Sequence, residues 1–172
     1  IVETMKARGT PFKGFLYAGL MVDSRLPREQ GIKVLEYNTR LGDPECQSIM
    51  VRLVSEPVEL YEWMSGARAE APSLQWSKSV ATCVVIASDG YPEAPRRGDQ
   101  ITGLELAALV PNTVVFHAST LQAENSKILS GGGRTLSVVG VATSVEEARA
   151  LAYKSVDVIQ LRGRRVRRDI GL

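Results

Sequence analysis

Three short runs of apolar and β-branched residues, VATCVVIA (80–87), TVVFHA (113–118) and RTLSVVGVA (134–142), precede a single long segment of helical period at 144–161, and this pairing leaves few folds open. Runs of that length and composition read as strands. In the last segment Ser144 and Glu147 stand at capping-box spacing, and Val145, Ala148, Leu151, Ala152, Val156 and Ile159 share one helical face. A helix with one apolar stripe must bury it against another element, so residues 78–172 are expected to form a small mixed β domain carrying one long helix. A short final strand is expected near Val166. The fold class is α/β in the α+β sense.

The N-terminal third has a different grammar. GFLYAGLMV (14–22) and IKVLEYN (32–38) are rich in aromatic and β-branched residues and flank the Pro-containing loop DSRLPREQG, which predicts an antiparallel strand pair. Asp43 before Pro44 predicts a helix over about 44–54, with Asp43 as its N-cap and Pro44 in the first turn. Pro57 opens a second helix whose apolar stripe is Val58, Tyr61 and Met64, and Gly66 ends it. The stretch ARAEAPSLQWS (67–77) lacks periodicity and reads as a linker, which divides the chain into 1–66, 67–77 and 78–172.

Oxygen-bearing side chains suited to a hard cation occur together once in that N-terminal part. Glu36 and Asn38 are alternate residues of a strand, so both project to one face, while Tyr37 points to the other, expected to be the packed side. Magnesium takes one or two oxygens from a protein and leaves the rest to water and phosphates. From the residues alone, the polar outward face of a half-buried strand is the better reading of the pair. Gly131-Gly132-Gly133 lacks the Lys-Ser/Thr of a P-loop and reads as a turn between strands. His117 reads as a structural strand-end residue, and no side chain is assigned as a catalytic acid, base or nucleophile. The tail RGRRVRR (162–168) reads as a solvated strand.

Charge narrows the partners. Lys and Arg total 21 against 19 Asp and Glu, a net +2, so no global field points to nucleic acid or an anionic membrane. No apolar run has membrane-spanning length and no secretory pattern opens the chain, which makes a cytoplasmic setting the default. Cys46 and Cys83 match neither a disulfide framework nor a zinc spacing. The chain opens at Ile1 without a start signal, as a fragment would.

The segment Leu35, Glu36, Tyr37, Asn38, Arg40, Leu41, Gly42, Asp43, Pro44, Glu45 and Gln47 resembles the end of the ATP-grasp region in the glycinamide ribonucleotide synthetase family. The resemblance continues in order through PFKGFLYAGLM (11–21), GYP (90–92), ITGL (101–104), FHAST (116–120), SGGGRTLSV (130–138) and RRDIG (167–171). It implies a ligase of purine biosynthesis that joins glycine to 5-phosphoribosylamine, with ATP as substrate, through a glycyl phosphate. It implies Glu36 and Asn38 as ligands for Mg2+ or Mn2+. Arg40 would serve as a phosphate or carboxylate partner, and Asp43 as a ligand for an amine besides its capping role.

The chain departs from the family at Glu93 and Ser119, where glycine is common, and at Thr135, where valine is usual. Nothing in it resembles the family's N-terminal domain or the earlier ATP-grasp portion, so the chain by itself is expected to be inactive. Two alternatives share some of these features. One is another ATP-grasp carboxylate–amine ligase, and the other is a non-catalytic fragment binding polyanions through its arginine-rich tail.

Overall fold

The computed structural model describes residues Ile1–Leu172. In chain order the elements are α1 (Val2–Ala7), β1 (Tyr17–Val22), α2 (Arg28–Gly31), β2 (Ile32–Asn38), α3 (Glu45–Met50), α4 (Pro57–Ser65), β3 (Val80–Ala87), β4 (Gln100–Ile101), α5 (Leu104–Ala108), β5 (Thr113–His117), β6 (Thr120–Gln122), β7 (Ile128–Ser130), β8 (Arg134–Ala142) and α6 (Val145–Val158). The class is mixed α and β, as the sequence predicts. Two compact units result, one of Ile1–Asp43 with Glu56–Ser73 and the other of Pro44–Ser55 with Leu74–Leu172.

In the first unit, β1 and β2 pair antiparallel as a two-stranded ribbon. The connection closes where the Asp23 amide donates to the Gly31 carbonyl at 2.8 Å, and Arg25 donates to both Asp23 carboxylate oxygens at 2.8 and 2.7 Å. A ribbon without further strands cannot bury both faces. Met21, Val22, Val34 and Leu35 are accordingly exposed, and Tyr37, expected on a packed side, is 50% exposed. Helix α4 follows its sequence signals: Pro57 occupies the first turn, and Gly66 ends it in the left-handed region at φ 85°.

In the second unit, β8 is the central strand of an antiparallel sheet ordered β3-β8-β5. Register runs from Val80↔Ala142 to Ala87↔Arg134 on one side and from Thr113↔Gly140 to His117↔Leu136 on the other. Helix α6 crosses one face, where Ala152 and Val156 pack with Val84, Ile86, Leu136 and Val138, all fully buried. The crossing is close at Gly140, where a Cβ would lie 2.2 Å from the Ala148 carbonyl oxygen. A second small sheet is ordered β4-β7-β6.

The predicted cap of α6 is present on one side: Ser144 Oγ accepts from the Glu147 amide at 3.2 Å. The Glu147 carboxylate does not return the bond to Ser144 but accepts from Thr143 Oγ1 at 3.1 Å. The helix stops at Val158, short of the expected 161, because Ile159 turns extended (φ −78°, ψ 128°) and enters the core. The triple-glycine segment is the turn joining β7 to β8, with Gly132 and Gly133 at φ 90° and 80°. His117 ends β5 with Nδ1 3.0 Å from Thr120 Oγ1. Thr135, fully buried, donates to the Gly133 carbonyl at 3.2 Å, so its hydroxyl is satisfied where valine is usual.

Two expectations need correction, on the start of α3 and on the tail. Helix α3 covers only Glu45–Met50, and Pro44, not Asp43, stands at its N-cap position, with no side-chain cap there. Within the expected linker, the Val54 amide donates to Gln75 O at 2.9 Å, and the Ser77 amide to Arg52 O at 2.8 Å. The tail forms no strand near Val166. It makes a single bridge, Ala87↔Arg165, and is otherwise tied to α6 side chains.

Those ties are specific. Tyr153 Oη donates to Arg167 O at 2.7 Å and accepts from the Ile170 amide at 3.3 Å. Arg149 donates to Ile170 O at 2.9 Å and Arg168 O at 2.7 Å. Arg149 and Arg168 also stack on the Tyr153 ring, at 4.9 and 5.4 Å from its centroid.

Candidate functional site

Strand β2 brings two of the four predicted site residues together. Asn38 Nδ2 donates to Glu36 Oε1 at 2.8 Å, which places the carboxylate and the amide side by side on one face. The local backbone explains the aim of this pair. Gly19 lies opposite Glu36, whereas Leu20 lies opposite Val34, so Leu35 is an extra residue in β2 and the register shifts beside the pair. Bulges of this kind bend the strand and re-aim the side chains next to them.

Gly19 supplies the space that Glu36 occupies, since a Cβ there would approach Glu36 Cγ to 3.0 Å. Sequence reasoning passed over Gly19. A signal for it was present, because a glycine inside a strand pattern marks a bulge or a close approach.

The pair fits a hard cation. Both residues offer oxygen, Glu36 is exposed and Asn38 is partly exposed. No cluster of three or more His, Cys, Asp or Glu occurs that could hold an ion by itself. A cation here would draw on one carboxylate and one amide oxygen, the small protein share that suits magnesium.

Arg40 and Asp43 follow the strand and are exposed. Arg40 Nη1 donates to the Leu41 carbonyl at 2.9 Å, which leaves its other N–H groups for a ligand. Asp43 ends the first of the two segments of the first unit.

The tail arginines form no free stripe. Arg164 Nη1 donates to the Val156 carbonyl at 2.6 Å and also to that of Ile159. Arg167 pairs with Asp169 at 2.5 Å, and Arg168 with Asp157 at 2.7 Å.

With this geometry in place, the chain can be set against known proteins. The profile described as Phosphoribosylglycinamide synthetase, C domain matches residues 81–172, and that described as Phosphoribosylglycinamide synthetase, ATP-grasp (A) domain matches residues 1–46. The chain belongs to the phosphoribosylglycinamide synthetase family. It is 42% identical over 171 residues to phosphoribosylamine–glycine ligase of Caulobacter vibrioides, covering 99% of this chain and 39% of that one. Against the protein of the same name in Streptomyces coelicolor it is 44% identical over 172 residues, covering 98% and 40%.

A crystal structure of phosphoribosylamine–glycine ligase from Thermotoga maritima superposes with a TM-score of 0.73 at 33% identity, over 96% of this chain and 39% of that one. The chain therefore spans about two fifths of the length of these family members. The ATP-grasp match ends at residue 46, the third residue of the Pro44–Ser55 segment that belongs to the second unit. No helix is long and apolar enough to cross a membrane.

Proposed function

We propose that this chain is the metal-strand and C-terminal portion of a phosphoribosylamine–glycine ligase, and that Glu36 and Asn38 hold the divalent cation of its ATP site. The observation that carries the reading is the contact between these two side chains on β2, beside the bulge that aims them. Family membership supports the rest: glycine, 5-phosphoribosylamine and ATP as substrates, and a glycyl phosphate between them.

When bound, magnesium or manganese would offset the negative charge that develops in phosphoryl transfer. Glu36 would contribute a full negative charge to that site and Asn38 a neutral amide oxygen. The observed contact uses Nδ2, and the same amide turned over presents Oδ1 to an ion shared with Glu36. Arg40 would pair with a phosphate or carboxylate through its remaining N–H groups. Asp43 would serve as a ligand for an amine.

The polyanion alternative is weaker because Arg164, Arg167 and Arg168 of the tail are already engaged. The test is a chimera in which this chain replaces the corresponding part of the Caulobacter vibrioides protein. Glycine-dependent, phosphoribosylamine-dependent ATP consumption is expected, and a folded chimera without turnover would defeat the assignment.

A further inference from the structure

The register of β1 and β2 fixes which side chains share the face of Glu36 and Asn38. Tyr17, Gly19 and Met21 are alternate residues of β1 and project to one side of the ribbon, and their partners across it are Asn38, Glu36 and Lys33. Lys33 lies three positions before Glu36, a spacing that in a regular strand sends two side chains to opposite faces. The extra residue Leu35 resets that alternation, so Lys33 stands on the same face as the pair.

Nothing in the unit occupies the Lys33 ammonium. The side chain is exposed, and the ion pairs of this unit, Arg25–Asp23 and Arg68–Glu59, do not involve it. Its offset from Glu36 equals that of Met21 from Gly19, about 7 Å along β1, which the four-carbon stem of a lysine can span. Arg40 follows Asn38 beyond the other end of β2, so the pair has a cationic side chain on either side of it along the chain.

We propose that Lys33 is a polyphosphate contact of the ATP site, its ammonium holding a phosphate oxygen on the side of the cation away from Arg40. This role rests on the reading of Glu36 and Asn38 as cation ligands. One carboxylate leaves a divalent cation with a single net positive charge, short of what a nucleoside triphosphate carries, and further positive groups must offset the rest. A lysine meets that need as a point charge with three rotatable donors, which makes it tolerant of the exact placement of the phosphate.

The test uses the chimera with magnesium saturating and glycine omitted, so that ligand binding is read by equilibrium dialysis without turnover. Lys33→Met is expected to weaken ATP about tenfold and to leave adenosine, which has no phosphate, unchanged. Lys33→Arg keeps the charge and should restore most of the ATP affinity. Lys127, exposed in the β6–β7 turn of the second unit, is the control for a lost surface charge, and Lys127→Met should bind both ligands as the parent does.

Parental ATP affinity in Lys33→Met would overturn the proposal, and so would equal losses of ATP and adenosine, or a Lys127→Met variant that weakens ATP as much. Circular dichroism identifies a variant that has unfolded, and Lys33→Gln then stands in for Lys33→Met with the same expectation. Under turnover, Lys33→Met should raise KM for ATP while the magnesium requirement at saturating ATP stays that of the parent. The two readings fail separately. A Glu36→Gln chimera with the parent's magnesium requirement would overturn the metal reading and this role with it, whereas a shifted requirement there beside unchanged ATP binding in Lys33→Met would overturn the Lys33 contact alone.

Discussion

Replacing Gly140 by alanine would test how closely the helix and the sheet of the second unit are fitted. The added Cβ would stand 2.2 Å from Ala148 O, 2.6 Å from Ala152 N and 3.2 Å from Ala148 C, all main-chain atoms of α6. Ordinary contact begins near 3.4 Å, so the helix must retreat by about 1 Å, a shift that close-packed interiors resist. The residues it would carry are Ala148, Ala152 and Val156, each fully buried, and opening that seam forfeits dispersion contacts along its length.

The cost is about 3 kcal/mol or more, at the upper end of overpacking effects. For a unit of roughly 100 residues that corresponds to a fall in Tm of about 12–24 °C. Gly98 is the control, because it has φ 81° but nothing within 4 Å of a Cβ. Gly98→Ala should cost only the backbone term, about 1 kcal/mol. Thermal unfolding followed by circular dichroism separates the two, and a Gly140→Ala protein melting within about 5 °C of the parent would refute the packing argument.

Gly19→Ala adds a Cβ 3.0 Å from Glu36 Cγ, so in the chimera it should raise the magnesium concentration needed for half-maximal rate while leaving the saturated rate nearly intact; an unchanged magnesium profile would count against its positioning role. Tyr153→Phe removes a hydroxyl bonded to Arg167 O and the Ile170 amide, which should cost about 1–2 kcal/mol and speed hydrogen exchange at Ile170, the latter serving as the check. Limited proteolysis should cut first within Ile1–Asp43 or Glu56–Ser73, leaving residues 74–172 intact, because the buried apolar core lies entirely within the second unit. Early cleavage inside β8 would contradict that order.

Much of this fold was legible because its larger elements carry their own signals. The expected bounds of β3 and β8 match the structure, since each run buries its residues on a sheet and is bracketed by turn residues. Helix α6 was legible from Ser144 and its apolar stripe, except at Ile159, where burial continues after the helix stops. The sheet of β4, β7 and β6 escaped notice for a physical reason: strands of two or three residues are defined by partners elsewhere in the chain, not by alternation of their own. Helix α5, a five-residue turn over Leu104–Ala108, is likewise too short to show a period.

The candidate site divides in the same way. The spacing of Glu36 and Asn38 fixes their common face, as the contact between them bears out. The bulge at Leu35 was hidden, because register belongs to the pair of strands and not to either sequence alone. Tyr37 was placed on a packed side by a rule for half-buried strands, which a two-stranded ribbon does not obey.

The central claim is that Glu36 and Asn38 share one cation. It is tested most directly by the ligase rate of the chimera against magnesium concentration for Glu36→Gln, Asn38→Ala and Tyr37→Phe. Glu36→Gln should lose both metal affinity and orders of magnitude in rate, because it removes the site's full charge. Asn38→Ala should lose less, and Tyr37→Phe should follow the parent's curve. A Glu36→Gln enzyme that keeps the parent's rate and magnesium requirement would show that the strand is structural and that the ion is held elsewhere.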